Sequence, residues 1–348
     1  MSRSLLSPFD SPYLGTLRNR VAMAAMTRGF ADAEHCCTPD IADYYGRRAR
    51  NGVALILSEG IVVDPSGDGY NHVPHLATDA QAQSWGPVLE QVHAAGSLMF
   101  AQLWHCGRIS HADFTNGIAP VSSTDQPAEG TNRQNGKPYG TPRRLRADEI
   151  PAIYHMIEQA ARRALDIGFD GVQLHMEHGY LFDQFLDARI NDRTDAYGGT
   201  VENRCRIVLE LVERLLPLCG DRRLMLRLSP SRMLGGNIYD WPDLEEMLHY
   251  IVPRLNAVGA RLLDISCADA PYAKTSGRVI RTVRQLWPHF LMGGASLTPD
   301  QAEAEISAGH LDMVTWGRAI LANPNFVDRI TVGEALIPMT AEVRASLY

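Results

Sequence analysis

Two histidines and a tyrosine crowd the segment His175-Met176-Glu177-His178-Gly179-Tyr180. Imidazole N–H groups can donate to an anionic or carbonyl oxygen, and a tyrosine hydroxyl can deliver a proton. At this spacing the three rings can face one pocket. A metal is a competing use of two such histidines with a glutamate between them. Neither H-E-x-x-H nor H-x-x-E-H is present, however, and no third ligand is evident. A pair of hydrogen-bonded loop histidines without chemistry is the third reading. Upstream, Gln102 and Trp104 in Ala101-Gln102-Leu103-Trp104-His105 share a face if the segment is extended; a core tryptophan beside a structural glutamine is the alternative. Arg227 interrupts the apolar run Leu224-Met225-Leu226-Arg227-Leu228. A buried arginine there needs an anionic or electron-rich partner, either a ligand or a structural carboxylate. Gly293-Gly294-Ala295-Ser296 and Trp316-Gly317-Arg318 combine glycines, which let a backbone approach a ligand closely, with a guanidinium fork suited to phosphate. Each run also precedes a helical pattern whose first amides can hold an anion.

These residues sit at the ends of short apolar runs that recur along the chain, at residues 21–26, 54–61, 98–104, 171–175, 224–229, 261–267, 290–295 and 313–318. Each is too short for a helix, and several are nearly continuous in apolar residues, as strands buried on both faces are. Helical patterns follow them. Thr38-Pro39 reads as an N-cap with proline in the first helical position, and Thr298-Pro299-Asp300-Gln301 adds a capping-box glutamine. Further helices are expected over 78–95, 148–167, 200–219 and 243–258. Eight alternating units give an α/β fold, a single (β/α)8 TIM barrel, in which chemistry is built at the C-terminal ends of the strands. A doubly wound sheet is the rival, but no G-x-G-x-x-G or G-x-x-x-x-G-K-[ST] is present. Barrels often bind phosphate after their seventh and eighth strands, where the two glycine runs fall. The irregular stretch 111–144, after the third strand, is a candidate lid at the same face.

The chain has 348 residues, 45% hydrophobic and 21% charged, which suits a globular protein and excludes disorder, collagen-like repeats and coiled coil. Thirty-three Lys and Arg against 40 Asp and Glu give a net charge of −7, which argues against nucleic acid as a partner. The clusters Arg47, Arg48, Arg50 and Arg143, Arg144, Arg146 read as solvated faces. No apolar run approaches the ~18 residues of a membrane span, and the N-terminus lacks a signal-peptide core; the expected address is cytoplasmic. The six cysteines include no C-x-x-C, so a zinc ribbon or iron–sulfur cluster lacks support. Eight β/α units use nearly the whole length, so residues 1–348 are expected to form one domain.

The motifs resemble those of the old yellow enzyme family, FMN-dependent NADH:flavin oxidoreductases that act as ene-reductases. Met23-Ala24-Ala25-Met26-Thr27-Arg28 is similar to the motif opening the family's first barrel strand. Ser58-Glu59-Gly60, Gln102-Leu103-Trp104-His105, His175-x-x-His178-Gly179-Tyr180-Leu181 and Gly317-Arg318 follow in the family's order. The run from Asp183-Gln184-Phe185-Leu186 to Glu202-Asn203-Arg204 is its most specific signature. The resemblance implies FMN at the barrel mouth. Ala25, Met26 and Thr27 would lie along the isoalloxazine, Gly60 and Gln102 would contact it, and Arg227 would sit near N1 and O2. Gly294, Ala295, Gly317 and Arg318 would hold the phosphate. It also implies that His175 and His178 bind the oxygen of an enone-type small molecule and that Tyr180 protonates the alkene carbon that receives no hydride. Tyr70 and Trp104 would be pocket walls, NADPH or NADH would be the reductant in ping-pong turnover, and no metal would take part. A monomer or homodimer is expected.

Three positions depart from the family's pattern. Ala25 stands where proline is usual and Ala295 where glycine is usual. Met176-Glu177 replaces two small residues between the histidines. That pair is expected either to narrow the pocket or to place Glu177 against a histidine and raise its pKa. Altered substrate scope follows. An isomerase or dehydrogenase of the same fold stays open as an alternative, as do a metal-dependent barrel hydrolase and a flavin-binding protein without turnover.

Overall fold

The computed structural model describes residues 4–268 and 270–348. Eight parallel strands close into a barrel in chain order: β1 (Val21–Met23), β2 (Leu55–Val62), β3 (Leu98–Trp104), β4 (Gly171–Met176), β5 (Leu224–Leu228), β6 (Leu262–Ser266), β7 (Phe290–Gly294) and β8 (Met313–Trp316). Val314 of β8 pairs with Val21 of β1 and shuts the ring. Among the described residues, seven helices of nine residues or more fill the connections: α1 (Pro39–Arg50), α2 (Gly86–Ala94), α3 (Ile150–Asp166), α4 (Val201–Cys219), α5 (Leu244–Val258), α6 (Ser276–Leu286) and α7 (Pro299–Ser307). Among the described residues no helix is long and apolar enough to cross a membrane.

Strand alternation sorts the barrel interior into an apolar floor and a polar ceiling. Side chains two positions apart share a face, so Phe100 of the floor is followed upward by Gln102 and Trp104. In the same way Met225 leads to Arg227, Leu262 to Asp264 and Ser266, and Met313 to Thr315. The floor is sealed by the hairpin Phe9–Ser11 with Gly15–Leu17, whose Phe9, Tyr13 and Leu14 pack against it. The opposite faces of the strands carry Leu, Ile and Val into a second apolar layer beneath the helices.

Local departures from the sequence expectations have physical reasons. β1 stops at Met23; Ala24 N still donates to the Trp316 carbonyl at 3.0 Å, and residues 25–27 lie beyond the strand at the mouth. A register shift in β2 between Leu57 and Gly60 sets Gly60 opposite Gln102, as a bulge does. The helix expected over 78–95 is broken. Thr78 caps the short helical turn Asp79–Gln83, and α2 restarts at Gly86-Pro87, where Pro87 has no N–H to carry the helical ladder back to the Gln83 carbonyl. Thr298 forms its capping box with Gln301. Thr38 occupies the N-cap of α1 without a side-chain capping bond, its hydroxyl donating to the Phe30 carbonyl instead. Arg48 is fully buried rather than solvated: it lies 3.7 Å over the Tyr44 ring and donates to the carbonyls of Tyr44 and Leu321. Its flat guanidinium is stacked and hydrogen-bonded, which is how an arginine tolerates a core.

Candidate active site

β4 and the turn after it build the first half of the site. His175 pairs in register with Arg227 of β5. The chain then turns through His178 and Gly179, at φ 56° and 82°. A left-handed histidine is strained by roughly 1–3 kcal/mol and persists only where surroundings hold it. Here His178 N donates to Ser229 Oγ at 3.2 Å and Gly179 N to Asp183 Oδ2 at 2.7 Å, while Gln184 Nε2 donates to the Gly179 carbonyl at 2.7 Å. Asp183 is fixed in turn by Arg232 at 2.9 Å and by Trp241 Nε1 at 2.9 Å. The turn folds Tyr180 back against His175, ring centroids 4.8 Å apart. Trp104 stacks on His175 at 5.8 Å, and the Tyr70 and Tyr180 hydroxyls meet at 2.6 Å. The five residues expected to bind and convert substrate are therefore one cluster.

Burial sets their protonation. It lowers His175 well below its usual 6.5, with the charges of His178 and Arg227 adding to the effect. His178 is lowered likewise by burial, then by Arg227 and Arg232. Both rings are thus neutral at physiological pH. His175 Nδ1 and His178 Nε2 are buried without a hydrogen-bond partner among the described residues. Burial beside Tyr70 raises Tyr180 well above its usual 10, so its hydroxyl keeps its proton.

The Met176-Glu177 pair does not narrow the pocket. Strand alternation turns Met176 away from the histidines into the layer beneath the helices, where it is fully buried. Glu177 places Oε1 3.2 Å from His178 Nδ1 and 2.6 Å from Arg227 Nε. The expected rise in a histidine pKa is not found, because burial and two arginines outweigh this one carboxylate. His175, Glu177 and His178 bring ligand-type atoms within 4.8 Å of one another. The guanidinium on Glu177 nevertheless occupies the carboxylate and repels a dication, so the hydrolase reading loses its metal site.

The polar ceiling links this cluster to a cavity. Gln102 Nε2 donates to Gln173 Oε1 at 2.8 Å, and Gln173 Nε2 donates to Asp264 Oδ2 at 3.1 Å. Asp264 also accepts from Ser266 Oγ and lies 3.5 Å from Arg227 Nε. Burial raises Asp264 to about 6 against the pull of Arg227. Burial alone would lower Arg227, but the Glu177 and Asp264 carboxylates outweigh it and hold the guanidinium charged.

Arg227 opens onto a cavity of about 530 Å³, within the size range of small-molecule and cofactor sites. Its walls include Ala25, Met26, Gly294, Ala295, Gly317 and Arg318, as the motifs imply. Thr27 is exposed and lies outside this wall. Gly60 packs beneath Trp104, where an added Cβ would stand 2.5 Å from the ring. Ala295 avoids the left-handed region, so its Cβ is accommodated; Ser296 takes that conformation at φ 52° and accepts from Arg318 at 3.4 Å. Arg318 opens a helix of only five residues, Arg318–Ala322, so an anion here would meet its guanidinium rather than a long helix end. The wall has two contributors that no sequence motif marked: Arg133 from the long loop after β3, and residues 336–339 with Arg344 near the C-terminus. Arg28 ties that C-terminal segment down through the carbonyls of Arg344 and Ser346. A cavity lined by Ala25 and Met26, by Arg227 and by Gly294 and Gly317 with Arg318 fits a flavin mononucleotide.

Comparison with known proteins agrees with this geometry. Residues 4–336 match the NADH:flavin oxidoreductase / NADH oxidase family. The chain is 37% identical to 12-oxophytodienoate reductase 7 of Oryza sativa subsp. japonica, over 95% of this chain and 89% of that protein. It is 44% identical to the putative 12-oxophytodienoate reductase-like protein 2A of Arabidopsis thaliana, over 65% of this chain and 82% of the relative. The old yellow enzyme homologue of Zymomonas mobilis superposes with a TM-score of 0.90 at 33% identity, covering 98% and 96% of the two chains. A morphinone reductase mutant in complex with tetrahydroNAD gives 0.89 at 34% identity, covering 99% and 94%.

Proposed function

The chain belongs to the NADH:flavin oxidoreductase / NADH oxidase family, and on that premise we propose that it reduces the C=C bond of α,β-unsaturated carbonyl or nitro compounds at the barrel mouth. It is an NAD(P)H-dependent flavin oxidoreductase with FMN as cofactor. When bound, FMN would supply the hydride chemistry between the nicotinamide and the alkene.

The chain's own residues orient the partners and handle the proton. Ala25, Met26, Gly60 and Gln102 would line the flavin ring, Arg227 its N1–O2 edge, and Gly294, Ala295, Gly317 and Arg318 the phosphate. Thr27 would reach the ring only from the rim, since it is exposed. Neutral His175 can donate a ring N–H to the substrate oxygen, drawing electron density from the alkene without adding a formal charge; His178, whose Nδ1 faces Glu177 Oε1 at 3.2 Å, would donate to that oxygen in the tautomer that carries its proton on Nε2. Tyr180 then delivers the proton to the carbon that receives no hydride, and Tyr70, 2.6 Å away, steadies the phenol oxygen left behind. Trp104 and Tyr70 wall the pocket. The loop carrying Arg133 covers it as a lid.

The observation that carries this reading is the unpartnered Nδ1 of neutral His175, packed against His178 and a protonated Tyr180. The reductase activity named for the plant relatives supports the reductive direction over isomerisation or dehydrogenation. Incubation with 2-cyclohexenone and NADPH or NADH should give cyclohexanone. Recovery of a shifted double bond, or of the allylic alcohol, would overturn the proposal.

A further inference from the structure

Glu177 is a carboxyl group of the site that the proposed reaction does not use. It is 1% exposed, and its Oε2 has no hydrogen-bond partner among the described residues. Oε1 lies 2.6 Å from Arg227 Nε, inside the barrel mouth rather than on its rim. Asp264 faces the same guanidinium at 3.5 Å. The two carboxylates are not equivalent. Asp264 is also held by Ser266 and Gln173, whereas the contacts of Glu177 are Arg227 and His178. Arg232, the other nearby cation, is committed to Asp183 at 2.9 Å. Glu177 therefore acts on Arg227 at short range, in surroundings that screen charge poorly.

Reduction of FMN at neutral pH takes up two electrons and one proton and leaves a net negative charge on the ring. An arginine alone at that edge favours the reduced state; an arginine already paired with a carboxylate favours it less. We propose that Glu177, acting through Arg227, is a positioning residue that lowers the reduction potential of the bound flavin and makes the reduced cofactor a stronger donor toward the alkene. The inference rests on the proposed placement of FMN beside Arg227. It also gives the departure from small residues at this position a chemical consequence, one that the side chain's direction, away from the pocket and onto Arg227, supports.

The test is the midpoint potential of the FMN-loaded enzyme, measured by anaerobic equilibration with a reference dye, for the natural chain and for Glu177→Gln and Glu177→Asp. The glutamine variant keeps the shape and removes the charge. It should shift the equilibrium toward reduced flavin about tenfold, which is ~30 mV more positive for a two-electron couple. The aspartate variant should stay nearer the natural value. An unchanged potential in Glu177→Gln overturns the inference, because the flavin then feels no charge from this site. A more negative potential also overturns it, because Glu177 would then serve only to orient Arg227. Should the glutamine variant fail to fold, Glu177→Ala carries the same expected sign; if neither variant retains FMN, Glu177 builds the site rather than tunes it and the inference fails. A natural chain that binds no FMN refutes the proposed function itself, whereas FMN-loaded variants with unmoved potentials refute the inference alone.

Discussion

Replacing Glu59 by glutamine should remove a pH-dependent weakness from the loop that carries Ala25, Met26 and Thr27. Glu59 is fully buried within β2, at the register shift between Leu57 and Gly60. Its Oε2 accepts from the amides of Arg28 and Gly29 at 2.8 and 3.1 Å, while Oε1 has no partner among the described residues. Burial raises its pKa from 4.5 to about 7, although the two amides and the charge of Arg28 pull the other way. The native state therefore keeps a proton that the unfolded chain releases between these values. Stability is complete at the acidic end and declines as pH climbs through the window from 4.5 to about 7. At 1.36 kcal/mol per pH unit, the full decline is ~3 kcal/mol. Glu59→Gln keeps an oxygen for the two amides and cannot ionise. Urea unfolding of both proteins at fixed FMN concentration, over about pH 4.5 to 8, should show the variant gaining up to ~3 kcal/mol on the natural chain as pH rises. Glu59→Ala, which leaves two amides without an acceptor, should be less stable at every pH, by ~1–3 kcal/mol per orphaned group. A difference between the glutamine variant and the natural chain that is flat with pH, or that grows with the opposite sign, would refute the reasoning: the carboxylate would then be ionised throughout and held by its amides.

Other expectations concern the reaction. Tyr180→Phe removes the proton donor and should slow enone reduction by ~10²–10⁴-fold, with reduction of the flavin by NAD(P)H little changed; single-turnover measurement of each half-reaction separates the two. Gly60→Ala drives a methyl to within 2.5 Å of the Trp104 ring. Overpacking of this kind costs ~1–3 kcal/mol, and because Trp104 stacks on His175, thermal stability and enone KM should both worsen. With His175 and His178 held well below 6.5, the rate of enone reduction should show no histidine inflection between about pH 6 and 8; a limb lost with His178→Asn would contradict their neutrality.

The barrel was legible in the sequence because its strands are buried on both faces, and that burial writes itself as short apolar runs. Arg227 stood out for the same reason, as a charge inside such a run. The rule that singled it out applies equally to Asp264 in Leu262-Leu263-Asp264-Ile265 and to Gln173, and applying it to every strand would have recovered the polar ceiling. Glu177 is different. Its direction depends on the left-handed turn at His178 and Gly179 and on the register of β4 against β5, neither of which a local motif records. Arg48 resembles any charged helix position until Tyr44 and the Leu321 carbonyl close around it. Helix α6 opens on Ser276-Gly277, which carries the composition of a loop. Arg133 and residues 336–339 reach the cavity from distant parts of the chain, and long-range contacts of this kind leave no spacing to read.

The central claim is that one mouth, walled by Arg227 and the His175–His178–Tyr180 cluster, serves both halves of a flavin-mediated alkene reduction. Anaerobic stopped-flow spectroscopy of the FMN-loaded enzyme tests it most directly. Stoichiometric NADPH or NADH should bleach the flavin absorbance, and 2-cyclohexenone mixed with the bleached enzyme should restore it, with one saturated ketone formed per flavin. Flavin that is never bleached by either nicotinamide, or that once bleached is reoxidised by oxygen and by no enone or nitroalkene, would contradict the account.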